Sequence, residues 1–343
     1  MSGEFDLIRR YFSHTQAQPD NMARRAGVIL GVADDCAIFT SPQGKQIATS
    51  TDLLVEGRHF FSDVNPYALG HKALAVNLSD LAAMGAKPIG CLLGLALPRI
   101  DEDWLQRFSQ GFYHLSNKMA CPLIGGDTTR SEQGVTISVT VFGEVTPPYL
   151  TRSAAQVGDV IWVSGYLGDA HIALECLLKQ HQGQTLNAME LHLLERTRSA
   201  LEYPQPRISL GLALHGLAHA MLDISDGLLQ DLGHILSQSQ VCAKVYEEKL
   251  PVSPHLLDMD VIQRRKAVLA GGDVYELCFT APASATGKLH ALSHQLAIPL
   301  TPIGEICANK EGALGGLVAV VDAQGQPVKL ASHGFDHFAP FDN

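Results

Sequence analysis

Six times along the chain an apolar stretch runs into small residues and an aspartate: Asp34-Asp35, Ser50-Thr51-Asp52, Ser79-Asp80, Gly125-Gly126-Asp127, Asp223-Ile224-Ser225-Asp226-Gly227 and Gly271-Gly272-Asp273. One such aspartate alone is ordinary, since aspartate caps helices and opens turns. Six beside core-like sequence ask for more, because a carboxylate next to a core is costly unless it is paired or holds a metal. Small neighbours let backbone and ligand approach closely. Oxygen donors without His/Cys clusters suit magnesium better than zinc, and magnesium held by carboxylates goes with phosphate substrates.

The familiar phosphate hardware is missing. No G-x-x-x-x-G-K-[ST], H-R-D or D-F-G occurs, and G-x-S-x-G and H-E-x-x-H are absent too. What remains is phosphoryl transfer at a site whose positive charge comes mainly from metals. With a formal charge of −10 and no long Lys/Arg run, a nucleic-acid groove is not expected. Seven scattered cysteines without a C-x-x-C pair read as free thiols in a reducing compartment. The acidic start and the lack of any membrane-length apolar run point to a cytoplasmic protein that does not enter membranes.

The elements that must position these groups follow from pattern. A short amphipathic helix is expected at 4–12 and a polar, mobile connection at 13–26. A turn at 41–44 joins two strands in a hairpin-like pair. Asn65-Pro66 marks a helix start, and the helix runs to about Met84 and stops at Gly85, with Leu74, Leu78 and Leu81 as its stripe. A buried strand at 88–97 precedes a helix at 101–119, whose core stripe is Leu105, Phe108, Phe112, Leu115 and Met119. A short strand enters Gly125-Gly126-Asp127, and 135–145 alternates as a strand. Pro147-Pro148 marks a boundary. In the second half, strands are expected at 159–164, 266–270, 275–280, 301–306 and 317–322. Helices are expected at 169–178, 188–201, 207–217 and from Gly227 to about Ser237. The fold class is α+β or α/β with mixed sheets. Two domains are expected, 1–150 and 151–343, since 343 residues allow two cores.

The ordered set from Asp34-Asp35-Cys36-Ala37 through Ser50-Thr51-Asp52, His59, Asn77-Leu78-Ser79-Asp80, Gly125-Gly126-Asp127-Thr128-Thr129 and Asp223-Ile224-Ser225-Asp226-Gly227-Leu228 to Gly334-Phe335-Asp336-His337-Phe338 resembles the thiamine-monophosphate kinase family. That family sits in the superfamily of aminoimidazole ribonucleotide synthetase, selenophosphate synthetase and the hydrogenase maturation ATPases. The likeness spans essentially the whole chain. It implies ATP-dependent phosphorylation of thiamine monophosphate to thiamine diphosphate, by direct in-line transfer. It also implies a homodimer pairing through the sheets of an N-terminal domain that binds ATP and metal, with a C-terminal α/β domain completing the site.

Carried over by position, Asp34, Ser50, Thr51, Asp52, Asp80, Asp127, Asp223 and Asp226 form the magnesium set. Gly126, Asp127, Arg152 and Ser225 contact ATP, while His59 and Phe335 contact the thiamine substrate, with Phe335 placed to stack on its ring. No general base is assigned, because the acceptor phosphate is already ionised, its second pKa lying near ~6. One departure stands out. Where the family commonly carries a second acid after the later Gly-Gly pair, this chain has Val274, so a substrate contact there is apolar or through the backbone. Two alternatives stay open: another ATP-using enzyme of the superfamily, or a nucleotide-binding protein without catalysis. Cys36 follows the aspartate pair without the nearby lysine arrangement of selenophosphate synthetases.

Overall fold

The computed structural model describes residues 28–30, 34–41, 46–309 and 318–328. The expected helix at 4–12, the connection at 13–26, most of the turn at 41–44 and the tail with Phe335 lie outside them. The chain forms two compact units. One holds the described residues up to Tyr149 together with Glu202–Leu212; the other holds Leu150–Leu201 and the described residues from Ala213 onward.

The first unit runs β1 (Val28–Leu30), β2 (Ala37–Thr40), β3 (Gln46–Val55), α1 (Pro66–Ala83), β4 (Lys87–Leu97), α2 (Glu102–Lys118), β5 (Leu123–Arg130) and β6 (Thr136–Val145). The sheet order is β1-β2-β3-β6-β4-β5. All neighbours are antiparallel except β4 and β5. The Asn65 side chain accepts the Tyr67 N–H at 3.0 Å, with Pro66 at the first helical position. Leu74, Leu78 and Leu81 are fully buried, as expected, but so is most of the rest of α1. The reason is that α1 lies between the sheet and α2. A Cβ on Gly70 would overlap the Phe108 carbonyl oxygen, and one on Gly111 the Tyr67 carbonyl oxygen, so these glycines set the close crossing of α1 and α2. α1 is therefore held rigidly over β3, which matters because it carries Asp80.

The second unit runs β7 (Asp159–Ser164), α3 (Asp169–His181), α4 (Ala188–Glu202), α5 (Ile208–Leu214, most of it grouped with the first unit), β8 (Ala220–Asp223), α6 (Leu228–Ser239), β9 (Cys242–Tyr246), α7 (Val261–Ala270), β10 (Leu277–Pro282), α8 (Thr286–Leu296), β11 (Leu300–Cys307) and β12 (Val318–Val321). Its sheet order is β12-β9-β11-β7-β10-β8, with only β12 and β9 parallel. Ile161 and Val163 of β7 join a core with Leu228, Leu232 and Ile235 of α6. On the opposite face Trp162 stacks on Phe279 and meets the edge of the His290 ring of α8. A sheet covered on both faces explains why β7 and β10 read as continuous apolar runs.

One expected strand is a helix. Residues 266–270 close α7, whose start is capped by Asp260 accepting the N–H groups of Ile262 and Gln263 at 2.9 and 3.1 Å. A short apolar run alone does not separate a buried strand from one face of a helix. The cap six residues upstream decides it. Two elements, β9 and α8, have no counterpart in the sequence reading.

Candidate functional site

In the first unit the site is built where β3 outruns its neighbour β2. β2 pairs with β3 only as far as Thr49. Beyond that, the Asp52 N–H donates to Asn77 Oδ1 at 2.9 Å, and Asn77 Nδ2 donates to the Ala73 carbonyl at 3.1 Å. Asn77 thus ties the strand to α1. Side chains alternate along a strand, which puts Ser50 and Asp52 on one face and Thr51 on the other. Ser50 Oγ donates to Asp80 Oδ2 at 2.6 Å. The Thr51 hydroxyl instead pairs with that of Thr140 across β6, at 2.7 Å. Of Thr51, the backbone is what remains on the Asp80 side.

Asp80 faces the buried Asp35, with carboxylate oxygens within 4.8 Å of each other. Asp34, the member of the pair expected at a metal, uses Oδ1 to accept the Asp35 N–H at 3.0 Å. Two carboxylates at that separation repel by about 3 kcal/mol at an effective dielectric near 20. A bound cation removes that penalty, and the donors here are all oxygen. The fit is to a hard cation such as magnesium.

After β3 the chain turns at Gly57, whose φ of +79° favours glycine. The His59 N–H donates to the Val55 carbonyl and the Val55 N–H donates to His59 Nδ1, both at 2.9 Å. A ring nitrogen that accepts is unprotonated, so neutral His59 carries its proton on Nε2. In β5, Gly126 has φ +153°, and a Cβ there would overlap the Leu93 carbonyl oxygen of β4. Asp127 stands beside Gly94 in register, on an exposed edge strand.

In the second unit β8 ends at the buried Asp223, and Ile224–Gly227 lead into α6. Three successive N–H groups, those of Ser225, Asp226 and Gly227, point at Oδ2 of Asp231, at 3.0, 3.1 and 3.1 Å. Burial, with Asp226 and Asp223 nearby, pushes the Asp231 carboxyl well above its usual range, while the N–H donors pull it back. Gln230 Nε2 donates to Asp226 Oδ2 at 3.1 Å.

The later Gly-Gly-Asp segment locks onto this loop. The Asp273 N–H donates to the Ser225 carbonyl and the Tyr275 N–H to the Ile224 carbonyl, both at 2.7 Å; the Ile224 N–H donates to the Glu276 carbonyl at 2.8 Å. Asp273 and Tyr275 take left-handed φ values of +60° and +55° to do so, and a Cβ on Gly272 would press on the Ser225 carbonyl oxygen at 2.6 Å. Val274 packs against the hydrophobic core of this unit. Buried Glu276 accepts from Ser164 Oγ at 2.5 Å, and Ser164 Oγ accepts the Leu277 N–H at 2.9 Å. The Arg152 carbonyl accepts from Ser239 Oγ at 2.9 Å.

Within the first unit the structure thus gathers Ser50, Asp80 and Asp35; within the second it gathers Asp223, Ser225 and Asp226. Gln230, Asp231 and Ser164 were not marked by the sequence reading, and Asp35 was marked only within the Asp34-Asp35 pair. Asp35 stood in view as half of a pair, but which of the two aspartates turns inward is set by the bend at 34–36 ahead of β2, which the pair itself does not reveal. Asp231 looks like any polar position in the first turn of a helix.

Two family models match the chain: AIR synthase related protein, N-terminal domain, over residues 33–145, and AIR synthase related protein, C-terminal domain, over residues 156–316. The thiamine-monophosphate kinase of Escherichia coli K12 is 42% identical over 338 residues, covering 98% of both chains. That of Bacillus subtilis 168 is 30% identical over 339 residues, covering 98% of this chain and 99% of its own. The crystal structure of thiamine-monophosphate kinase from Stenotrophomonas maltophilia K279a superposes with a TM-score of 0.74 at 42% identity, over 90% of this chain and 94% of that one. AaThiL complexed with AMPPCP and TMP gives a TM-score of 0.76 at 29% identity, over 98% and 97%.

Proposed function

Because the chain belongs to the thiamine-monophosphate kinase family within the AIR synthase related proteins, we propose that it transfers the γ-phosphoryl group of ATP to thiamine monophosphate, giving thiamine diphosphate and ADP. The observation that carries this is the 42% identity to a thiamine-monophosphate kinase across 98% of both chains. The oxygen-only cluster at Asp35, Asp80 and Ser50 supports it chemically.

Donor and acceptor are both anions, so the chain must offset their repulsion. Two unit charges ~4 Å apart cost about 4 kcal/mol at an effective dielectric near 20, and each phosphate carries more than one. Magnesium, when bound, supplies that neutralisation and stabilises charge on the transferring oxygens. Asp80, Asp35, Asp52 and Asp127 in the first unit, and Asp223 and Asp226 in the second, are the carboxylates proposed as magnesium ligands. Asp34 supports Asp35 by accepting its N–H, Ser50 orients Asp80, and Thr51 contributes through its carbonyl. Gly126, Asp127, Arg152 and Ser225 are proposed to contact ATP; the missing Cβ at Gly126 lets the nucleotide approach the β5 backbone. His59 offers Nε2–H to the acceptor phosphate, with its tautomer set by Val55. Val274, whose half-buried side chain packs against the core, is proposed to meet substrate through its backbone. Phe335 is proposed to stack on the thiamine ring. No residue is proposed as general base, since the acceptor oxygen needs none, and transfer is direct and in line.

We further propose a homodimer formed through the open face of the first unit's sheet. That face carries Leu53, 56% exposed, beside Thr51 and Val55, and the edge of the same sheet carries Ile124, 63% exposed. Its seven free cysteines suit a reducing cytoplasm. Among the described residues no helix is long and apolar enough to cross a membrane.

A coupled assay for ADP release tests the activity: thiamine monophosphate should stimulate release in the presence of magnesium. No stimulation, with stimulation by aminoimidazole ribonucleotide precursors or selenide instead, would move the chain to another branch of the superfamily.

A further inference from the structure

We propose that Asp231 is the positioning residue of the Asp223–Asp226 loop: its carboxylate fills, from inside the protein, a backbone nest formed by the N–H groups of Ser225, Asp226 and Gly227, and so aims the loop's side chains outward. Consecutive N–H groups that converge on one point form a concavity suited to an anion. Here the acceptor is supplied by the chain itself, on a side chain only 4% exposed, with all three donors on one oxygen at 3.0 to 3.1 Å.

Three further observations bear on the same loop. Gly227 has φ +131°, and a Cβ there would meet the Ala270 backbone at 2.8 to 2.9 Å, so the turn into α6 admits glycine alone. The N–H of Asp231 itself donates back to the Gly227 carbonyl at 3.0 Å, which anchors the acceptor to the loop it holds. Gln230, the preceding residue, donates to Asp226 Oδ2 at 3.1 Å. The first turn of α6 therefore holds the loop twice. Asp231 takes the main chain, and Gln230 takes the carboxylate. With the three N–H groups turned inward, Ser225 is left exposed and Asp226 half-buried, facing outward.

This rests on the reading that Asp223 and Asp226 hold a divalent cation. Asp231 would then be an outer partner that orients ligands, a role whose loss costs roughly 10- to 100-fold in metal affinity. It does not touch substrate, and its effect runs entirely through the loop.

The test uses the full-length protein and two readouts that do not need turnover. In the wild-type chain, amide hydrogen exchange at Ser225, Asp226 and Gly227 should be as slow as in the body of α6. Exchange at the rate of an unprotected loop would overturn the nest. Titration with Mn2+ alone, followed by electron paramagnetic resonance, should show affinity roughly 10- to 100-fold weaker in Asp231→Ala. Asp231→Asn keeps an oxygen acceptor in place and should fall between alanine and wild type, with a melting temperature close to wild type. Folded Asp231→Ala with wild-type Mn2+ affinity would overturn the proposal. Equal losses in alanine and asparagine would also overturn it, because charge and not the acceptor would then be responsible. If Asp231→Ala does not fold, the asparagine variant and the wild-type exchange rates decide. A wild-type chain that binds no Mn2+ yet protects all three amides would refute the metal reading of Asp223 and Asp226 and leave the nest standing.

Discussion

Replacing Ser50 by alanine isolates one bond on which the proposed metal cluster of the first unit depends. Ser50 Oγ donates to Asp80 Oδ2 at 2.6 Å, a distance typical of a hydroxyl bound to an ionised carboxylate. Such bonds contribute about 1.5 to 3 kcal/mol net. Asp80 needs that help, because the Asp35 carboxylate lies within 4.8 Å and repels it by about 3 kcal/mol at an effective dielectric near 20. Without the hydroxyl, Asp80 loses one of its partners and more readily turns from Asp35 or takes up a proton, and either outcome raises the magnesium concentration needed to gather the pair. Since about 1.4 kcal/mol is a factor of ten, Ser50→Ala should raise half-saturating magnesium about tenfold or more. Ser50→Thr, which keeps the hydroxyl, should shift it far less. The assay is ADP release against magnesium at saturating ATP and thiamine monophosphate, with melting temperatures measured alongside. Magnesium curves for Ser50→Ala that superimpose on wild type would refute the reasoning, since the bond would then have no part in holding the cluster.

Three other outcomes are expected. Gly126→Ala should raise the KM for ATP and lower the melting temperature, because a Cβ overlaps the Leu93 carbonyl oxygen, whereas Gly125→Ala meets only the flexible Leu92 Cδ2 at 3.2 Å and should be tolerated; parallel kinetics and thermal melts of the two variants check this. His71 is buried, donates Nε2–H to the Pro204 carbonyl at 2.8 Å, and has its pKa lowered from 6.5 chiefly by burial. A depressed folded pKa means stability that is complete above the unfolded value and lost as pH falls through the folded one. His71→Gln should therefore lose less stability than wild type between pH 7 and pH 5, read as melting temperature across that window, and equal slopes would remove His71 as the cause. Leu53→Lys places a charge on the open sheet face and should yield monomers by light scattering after size-exclusion chromatography; an unchanged dimer would put the interface elsewhere.

Where local chemistry decides structure, the chain could be read directly. Asn65-Pro66 capped α1 as expected, the alternation of 135–145 appeared as β6, and the aspartate-bearing breaks fell ahead of β2, within β3 and β5, in the last turn of α1, at the end of β8 and just after α7. The unreadable parts depend on tertiary context. Whether Thr51 faces the carboxylates turns on strand alternation counted from a register that β6 supplies. The 266–270 run is a helix because of a cap at Asp260, outside the apolar window. Val274 sits between two residues of left-handed backbone and packs half-buried against the core, a placement the motif around it does not announce. Asp231 shows the limit most clearly: its three partners lie four to six residues upstream, and nothing in their identities reveals that their N–H groups converge.

The central claim is tested most directly by incubating the chain with thiamine monophosphate, magnesium and ATP labelled with oxygen-18 in the γ-phosphoryl group, and weighing the product by mass spectrometry. The account predicts thiamine diphosphate carrying the labelled phosphoryl group, one per ADP formed, and none when magnesium is withheld. ATP consumption without labelled thiamine diphosphate would contradict it.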